Sequence, residues 1–144
     1  MKWTDTLTMD APAELIWGLN TDVERWPTCT STMQSVERLD DGPFQVGSQA
    51  RIKQPGQRTA TWTVTRMIPG EEFRWQSKRR GLAFTGTHRV EAAGTQTHNT
   101  LEIEVTGPMS RVFGLLFGVA IRRALRLENA GFKTEASRQT SAAA

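Results

Sequence analysis

The sequence predicts a single α+β domain in which a seven-stranded antiparallel sheet curves around one long C-terminal helix. Three observations predict it: the chain opens with one alternating segment, six more β-like segments follow, and a long helical pattern begins after Pro108. One face of these strands is polar, and only one long helix is available to cover the other face. A curved sheet that grips this helix is therefore the most economical arrangement.

Seven segments show the two-residue period of half-buried strands, the first over residues 2–10 and the other six between residues 33 and 107. Their inward positions are expected to be Trp3, Leu7 and Met9; Trp62 and Val64; Phe73 and Trp75; Phe84, His88 and Val90; and Leu101, Ile103 and Val105. Thr, Arg, Gln and Glu occupy most of the alternate positions. One polar, solvent-exposed face is typical of an antiparallel sheet.

Two short helices are expected between the first and second strands. Asp10 is a suitable N-cap and Pro12 suits a first helical turn, so we predict a helix over 12–19. A second short helix or turn over 22–26 is expected to stop at Trp26–Pro27, because a proline disfavours helical backbone in the residue before it.

The final helix is predicted from Ser110 to about residue 136, within a domain spanning 1–138, and we expect 139–144 to form a disordered tail. In its second half, the side chains expected to face the sheet are Ala124, Leu127, Ala130 and Gly131, and those expected to face water are Arg123, Arg126, Glu128 and Lys133. In its first half, the core stripe is expected to continue through Phe113, Leu116, Phe117 and Ala120.

The first half of this helix is apolar on more than one side, since Val112, Leu115 and Val119 lie away from the core stripe. The uninterrupted apolar run, 112–121, is about half of the ~20 residues that a membrane-spanning helix needs. We therefore expect loops, a ligand or a partner to cover it. Gly114 and Gly118 form a G-x-x-x-G pair, which leaves a dimer seam open as an alternative.

Composition excludes several classes of function. A net charge of +3 with scattered basic residues does not indicate a nucleic-acid-binding protein. The single cysteine, Cys29, excludes an internal disulfide, and the two histidines lack partners at metal-ligand spacing. Residues 1–5 carry no signal-peptide core, so we predict a cytoplasmic protein. From the short apolar run and the residue types above, we also predict no transmembrane segment, no metal and no cofactor.

Five segments together resemble one known family. They are DVERWPTC (22–29), LDDGPFQVGSQARIKQPG (39–56), ATWTVTRMIPGEEFRWQS (60–77), GTHRVEAAGTQT (86–97) and ALRLENAGFKTEAS (124–137). In this order they resemble the polyketide cyclase/dehydrase branch of the START-like, or SRPBCC, superfamily. The resemblance implies a helix-grip fold with a deep cavity for hydrophobic ligands, in a family that includes aromatase/cyclases, lipid carriers and hormone receptors.

The leading functional hypothesis is binding of a hydrophobic small molecule, such as a lipid, a polyketide or an aromatic metabolite, between the sheet and the last helix. The candidate ligand-binding residues are Trp17, Trp26, Trp62, Trp75, Phe84, His88, Met109, Phe113, Leu116, Phe117 and Ala120. Large aromatic side chains supply apolar area, and the indole N–H supplies an occasional donor.

The alternative is a cyclase or dehydratase acting on a ketide-like substrate. His88 has the inward parity of its strand and could act as an acid or base, and Arg66 could stabilise an enolate. Arg79 shares the inward parity, whereas Arg51 is expected outside. The chain has no tyrosine, which argues against a phenol-based cyclase mechanism. A third hypothesis is an interaction domain using the Gly114/Gly118 face, so we expect a monomer or a weak homodimer.

Overall fold

A computed structural model describes residues 1–143. The strands are β1 (Lys2–Met9), β2 (Ser35–Arg38), β3 (Gln49–Lys53), β4 (Ala60–Ile68), β5 (Glu72–Arg79), β6 (Leu82–Ala93) and β7 (Gln96–Thr106). The helices are α1 (Ala13–Thr21), α2 (Trp26–Cys29) and α3 (Ser110–Ala143), with a 3₁₀ turn at Val23–Arg25 between α1 and α2.

The seven strands form one sheet in the order β1-β7-β6-β5-β4-β3-β2, and every neighbouring pair is antiparallel. The connections from β2 to β7 all join neighbours in the sheet, whereas β1 pairs with the last strand, placing Trp3 opposite Ile103. α3 packs across the inner face and contacts β1 and β7. The predicted helix-grip α+β fold is confirmed.

The short helices differ from the prediction at their ends. α1 begins at Ala13, and its N-cap is Pro12, not Asp10. The chain does not leave the helical conformation at Trp26–Pro27, because Pro27 lies in the first turn of α2. A proline is tolerated there, since the N–H it lacks would have no partner within the helix.

The second half of α3 packs on a stripe that differs from the predicted one. Its buried residues are Leu125, Asn129, Phe132 and Ala136. Leu127, expected in the core, is exposed. The prediction failed because Asn129, a polar residue, occupies a core position. α3 also continues to Ala143, so residues 139–143, expected to be disordered, are helical; Ala144 lies outside the described residues.

The first half of α3 presents its two glycines to the sheet. The space beside Gly118 is filled by the indole of Trp3, and that beside Gly114 by Met1 and Trp3. A Cβ on Gly114 would collide with Met1, whereas one on Gly118 would still fit against Trp3, so only Gly114 is required by this packing. The glycine face of the helix is occupied by Met1 and Trp3 and needs no dimer to cover it. On the other side Leu115 and Val119 are 86% and 84% exposed. Of the three covers expected for this part of the helix, loops are therefore excluded for the described residues.

Candidate functional site

A cavity of about 510 Å³ lies between the concave face of the sheet and α3. β3 to β7 supply one wall and α3 supplies the other, with α2 and the loop after it closing one side. Its large apolar lining residues are Trp26, Met33, Ile52, Trp62, Trp75, Phe84, Leu101, Ile103, Phe113, Phe117, Ile121 and Leu125. The lining is thus mostly aromatic and aliphatic, as in sites for small organic ligands.

The structure brings together eight of the eleven candidate ligand-binding residues. The eight that line the cavity are Trp26, Trp62, Trp75, Phe84, His88, Phe113, Phe117 and Ala120. Three do not line it: Trp17 packs edge-on against Phe73, Met109 lies against Gly81, and Leu116 is exposed. Leu116 lies outside the cavity because Gly114 and Gly118, not the leucines, face the sheet.

The aromatic side chains form a continuous path from the cavity floor towards its opening. Trp26 meets Trp75 edge-on with ring centroids 5.3 Å apart, and Trp75 lies 5.7 Å from Trp62. Phe84 then contacts Phe113 at 5.2 Å. Gly86 makes room for this packing, because a Cβ at that position would lie only 3.0 Å from the Trp75 indole nitrogen.

His88 lies at the floor, between two aromatic rings. Its imidazole is stacked on Phe73 at 4.6 Å and on Trp26 at 5.0 Å. Burial lowers the pKa of His88 from its usual 6.5 to about 3. The ring is therefore neutral at physiological pH, which suits a hydrogen-bonding group better than a base that must take up a proton.

A chain of three buried asparagines fixes the tautomer of His88. Asn129 Nδ2 donates to the Asp5 carboxylate, Asn99 Nδ2 donates to Asn129 Oδ1, and Asn20 Nδ2 donates to Asn99 Oδ1. Asn20 Oδ1 is thereby left as an acceptor, 2.8 Å from His88 Nδ1. His88 Nδ1 must then carry the proton, and Nε2 keeps a free lone pair.

Glu128 is the functional candidate that the sequence analysis missed. It was expected to face water, yet it lines the cavity, where its Oε1 accepts a hydrogen bond of 3.0 Å from Thr32 Oγ1. Burial raises the pKa of Glu128 to about 7, and the Thr32 hydrogen bond only partly offsets this. Its position was readable in the sequence, because it follows Phe117, Ile121 and Ala124 at helical spacing on the same face.

Arg66, the other proposed catalytic residue, does not line the cavity. Its Nε donates to Glu72 Oε2 at 2.9 Å, on the outer side of the sheet, where Arg74 and Arg89 also pair with Glu72. Burial would raise the pKa of Glu72, but the hydrogen bonds and charges of these arginines lower it. The inward prediction failed because a bulge between Val64 and Arg66 shifts the alternation by one residue.

The cavity opens where its lining residues are exposed, at Phe117 and Ala120 of α3 and at two arginines. Arg79 Cζ lies 5.9 Å from the centre of the Phe84 ring, and Arg79 Nη2 donates to the Arg58 carbonyl oxygen at 3.4 Å. Arg79, unlike Arg66, is thus an arginine of the cavity. Arg51 is exposed, as expected.

The other polar candidates lie outside the cavity. His98 Nδ1 is 2.8 Å from Thr8 Oγ1, and Cys29 is half-buried, with the pKa of its thiol raised by burial. Within residues 1–143, no three His, Cys, Asp or Glu side chains are grouped as a metal would require. Over the same residues, no helix has the length and apolarity needed to cross a bilayer.

Solved structures with this fold cover nearly the whole chain. The Zhui aromatase/cyclase from Streptomyces sp. R1128 is 18% identical with a TM-score of 0.77, over 97% of this chain and 95% of that one. A hypothetical protein from Helicobacter pylori is 9% identical with a TM-score of 0.79, over 94% and 88%. A protein from Deinococcus radiodurans is 21% identical with a TM-score of 0.64, over 94% and 96%. At these identities the similarity establishes the fold alone.

Among curated proteins, none matches this chain. One family model, described as polyketide cyclase/dehydrase and lipid transport, matches residues 1–137. That match takes in all seven strands and most of α3, and so both walls of the cavity. The chain therefore belongs to the polyketide cyclase/dehydrase and lipid transport family.

Proposed function

We propose that this protein binds a hydrophobic small molecule in the cavity between the sheet and α3. The observation that carries the proposal is the aromatic-lined space of about 510 Å³ that the protein's own side chains leave unfilled. Burying ligand surface at ~25 cal/mol per Å² yields several kcal/mol for a few hundred Å², before the costs of association are subtracted. Binding of this kind needs no catalytic group.

The polar groups of the cavity narrow the ligand class. His88 Nε2 offers a lone pair at the floor, and Glu128 offers a carboxyl group on the α3 wall. A ligand with an apolar body and a hydroxyl or phenol group would satisfy the imidazole nitrogen, whereas a pure hydrocarbon would leave it unpaired. A hydroxylated lipid or an aromatic metabolite fits this pattern. A cytoplasmic location and a monomeric or weakly dimeric state remain predictions.

Native mass spectrometry of freshly purified protein tests the proposal, followed by extraction of whatever co-purifies. Ala124→Trp should block binding, because Ala124 lines the cavity and an indole would occupy it. Ala130→Trp is the matched control, since Ala130 is exposed on the same helix. Retention of the ligand by Ala124→Trp, or equal loss in both variants, would count against the cavity as the binding site.

The second candidate is a cyclase or dehydratase, favoured by the placement of His88, Glu128 and Arg79 around one cavity. Here Arg79, not Arg66, would stabilise an enolate, and a neutral His88 would position a hydroxyl group. His88→Ala separates the two functions once a ketide-like compound that binds is in hand. A large loss of turnover with binding retained supports the enzyme; binding of the compound with no conversion by the unaltered protein supports the binding protein.

A further inference from the structure

The first half of α3 carries an apolar stripe that no other described residue covers. Counting Val112 as position i, Leu115, Leu116 and Val119 are i+3, i+4 and i+7, so the four side chains lie on one face of the helix. All four are exposed, and Leu115 and Val119 are among the most exposed large apolar side chains of the protein. We call these four residues the α3 stripe.

Basic side chains surround the α3 stripe. Arg111 precedes it, Arg122 and Arg123 follow it, and all three are exposed. The end of β5 and the turn after it add Arg79 and Arg80. This turn is held at the start of α3, because Met109 N donates to the Gly81 carbonyl oxygen. In the described part of the chain, none of these five arginines forms an ion pair.

Acidic side chains are missing from the segments that build this surface. No Asp or Glu occurs between Gly107 and Leu127, or between Phe73 and Val90. An apolar centre with a basic surround matches an anionic lipid surface, in which the apolar side chains enter the acyl boundary and the arginines meet lipid phosphates. A second copy of the chain matches less well, because its own arginines would face these.

We propose that the α3 stripe and its arginines dock this protein onto the surface of an anionic membrane. The helix would lie in the plane of the interface and would not cross it. Ala120 lines the cavity, is exposed and lies one turn after Leu116 on the same side of the helix, so docking would place the cavity opening beside the face that contacts the lipid. This inference goes beyond ligand binding and does not depend on it, since the surface can be tested with the cavity empty or filled.

Flotation with lipid vesicles tests the proposal on the full chain. The protein should float with vesicles of phosphatidylcholine mixed with phosphatidylglycerol and remain behind with phosphatidylcholine alone. Raising the salt concentration should weaken the binding, because it screens the arginine–phosphate attraction. Equal binding to both vesicle types, or binding to neither, would overturn the proposal.

Two pairs of substitutions assign the binding to the surface. Leu115→Gln/Val119→Gln should weaken it by about tenfold or more, since two exposed apolar side chains no longer enter the lipid. Arg122→Gln/Arg123→Gln should weaken it by roughly thirtyfold, from the attraction of two basic side chains to an anionic surface. All four positions are on the surface, so the fold should survive, and circular dichroism checks this.

The matched controls alter equally exposed residues elsewhere. Val46→Gln changes an exposed apolar residue between β2 and β3, and Arg51→Gln/Lys133→Gln removes two exposed charges. Both controls should float like the unaltered protein. If the controls lose binding as strongly as the α3 pairs, the attachment is unspecific. If the unaltered protein instead forms a dimer that Leu115→Gln/Val119→Gln dissociates, and does not float, the occupant is a second copy.

Discussion

The two halves of α3 show that apolar sequence and burial need not coincide. The first half, residues 110–123, holds most of the helix's leucine and valine, yet two glycines make its contact with β1. The second half is rich in charged and polar residues, yet it supplies Leu125, Phe132 and Ala136 to the core. The second half therefore stabilises the fold, and the first half is left for the cavity and the surface.

The largest difference between the halves is expected in stability. Phe132→Ala should lower the free energy of unfolding by about 3–5 kcal/mol, because it empties a fully buried site, whereas Leu115→Ala should change it by less than about 0.5 kcal/mol. Denaturant unfolding of both variants measures this. Equal losses would mean that the first half is packed against something else in solution.

Alanine substitutions at two glycines, one in each half of α3, should change stability by an intermediate amount. A Cβ on Gly131 would collide with the Cys29 carbonyl oxygen, whereas one on Gly118 would first meet Trp3 at 3.4 Å, an ordinary contact distance. Gly131→Ala should therefore destabilise the protein by about 1–3 kcal/mol through overpacking. Gly118→Ala should stabilise it by up to about 1 kcal/mol, since alanine is the better helix former. Thermal melts of both variants would show opposite signs, and a shared sign would contradict this account.

The smallest expected change in the free energy of unfolding concerns Glu128, which belongs to the second half of α3 but faces the cavity. Its pKa is about 7 in the folded protein and near 4.5 in the unfolded chain, so the folded state holds the proton more tightly. The stabilisation is complete below about pH 4.5 and is lost as the pH rises towards 7. The full pKa difference corresponds to at most about 3 kcal/mol, and solvent in the open cavity reduces the change that we expect to about 1 kcal/mol or less.

Glu128→Gln should remove this pH dependence, and Glu14→Gln, at an exposed position of α1, should leave it in place. Unfolding curves recorded between pH 4.5 and 7 compare the two variants with the unaltered protein. A decline that persists in Glu128→Gln would assign it to another group.

The two-residue period of the strands and the helical pattern after Pro108 were sufficient to predict the sheet, the single long helix and most of the aromatic lining, including Trp62, Trp75 and Phe84. It could not predict the position of Arg66, because a one-residue bulge reverses every later side chain in β4 and leaves no clear mark in the sequence. Nor could it place Asn129 in the core, since a buried amide depends on partners that are distant in the chain, here Asp5 and Asn99.

Glu128 shows a different kind of limit. Helical spacing places Glu128 on the cavity face, whereas its charge predicts exposure to solvent. Only the structure shows that this face of the helix borders a cavity, where a carboxyl group can be accommodated. The exposure of Leu115 and Val119 likewise depends on Trp3 reaching the glycines from the other end of the chain.

The pairing of β1 with β7 has a consequence for how the protein is made. Thr6 lies opposite Thr100, so the neighbour of β1 in the sheet is synthesised more than 90 residues after it. Strands β2 to β6 can pair as successive hairpins during translation. Trp3 and Met9 of β1 can be buried only after β7 and α3 have been synthesised. Such long-range closure slows folding, and the apolar inner face of the incomplete sheet is exposed to aggregation until it occurs.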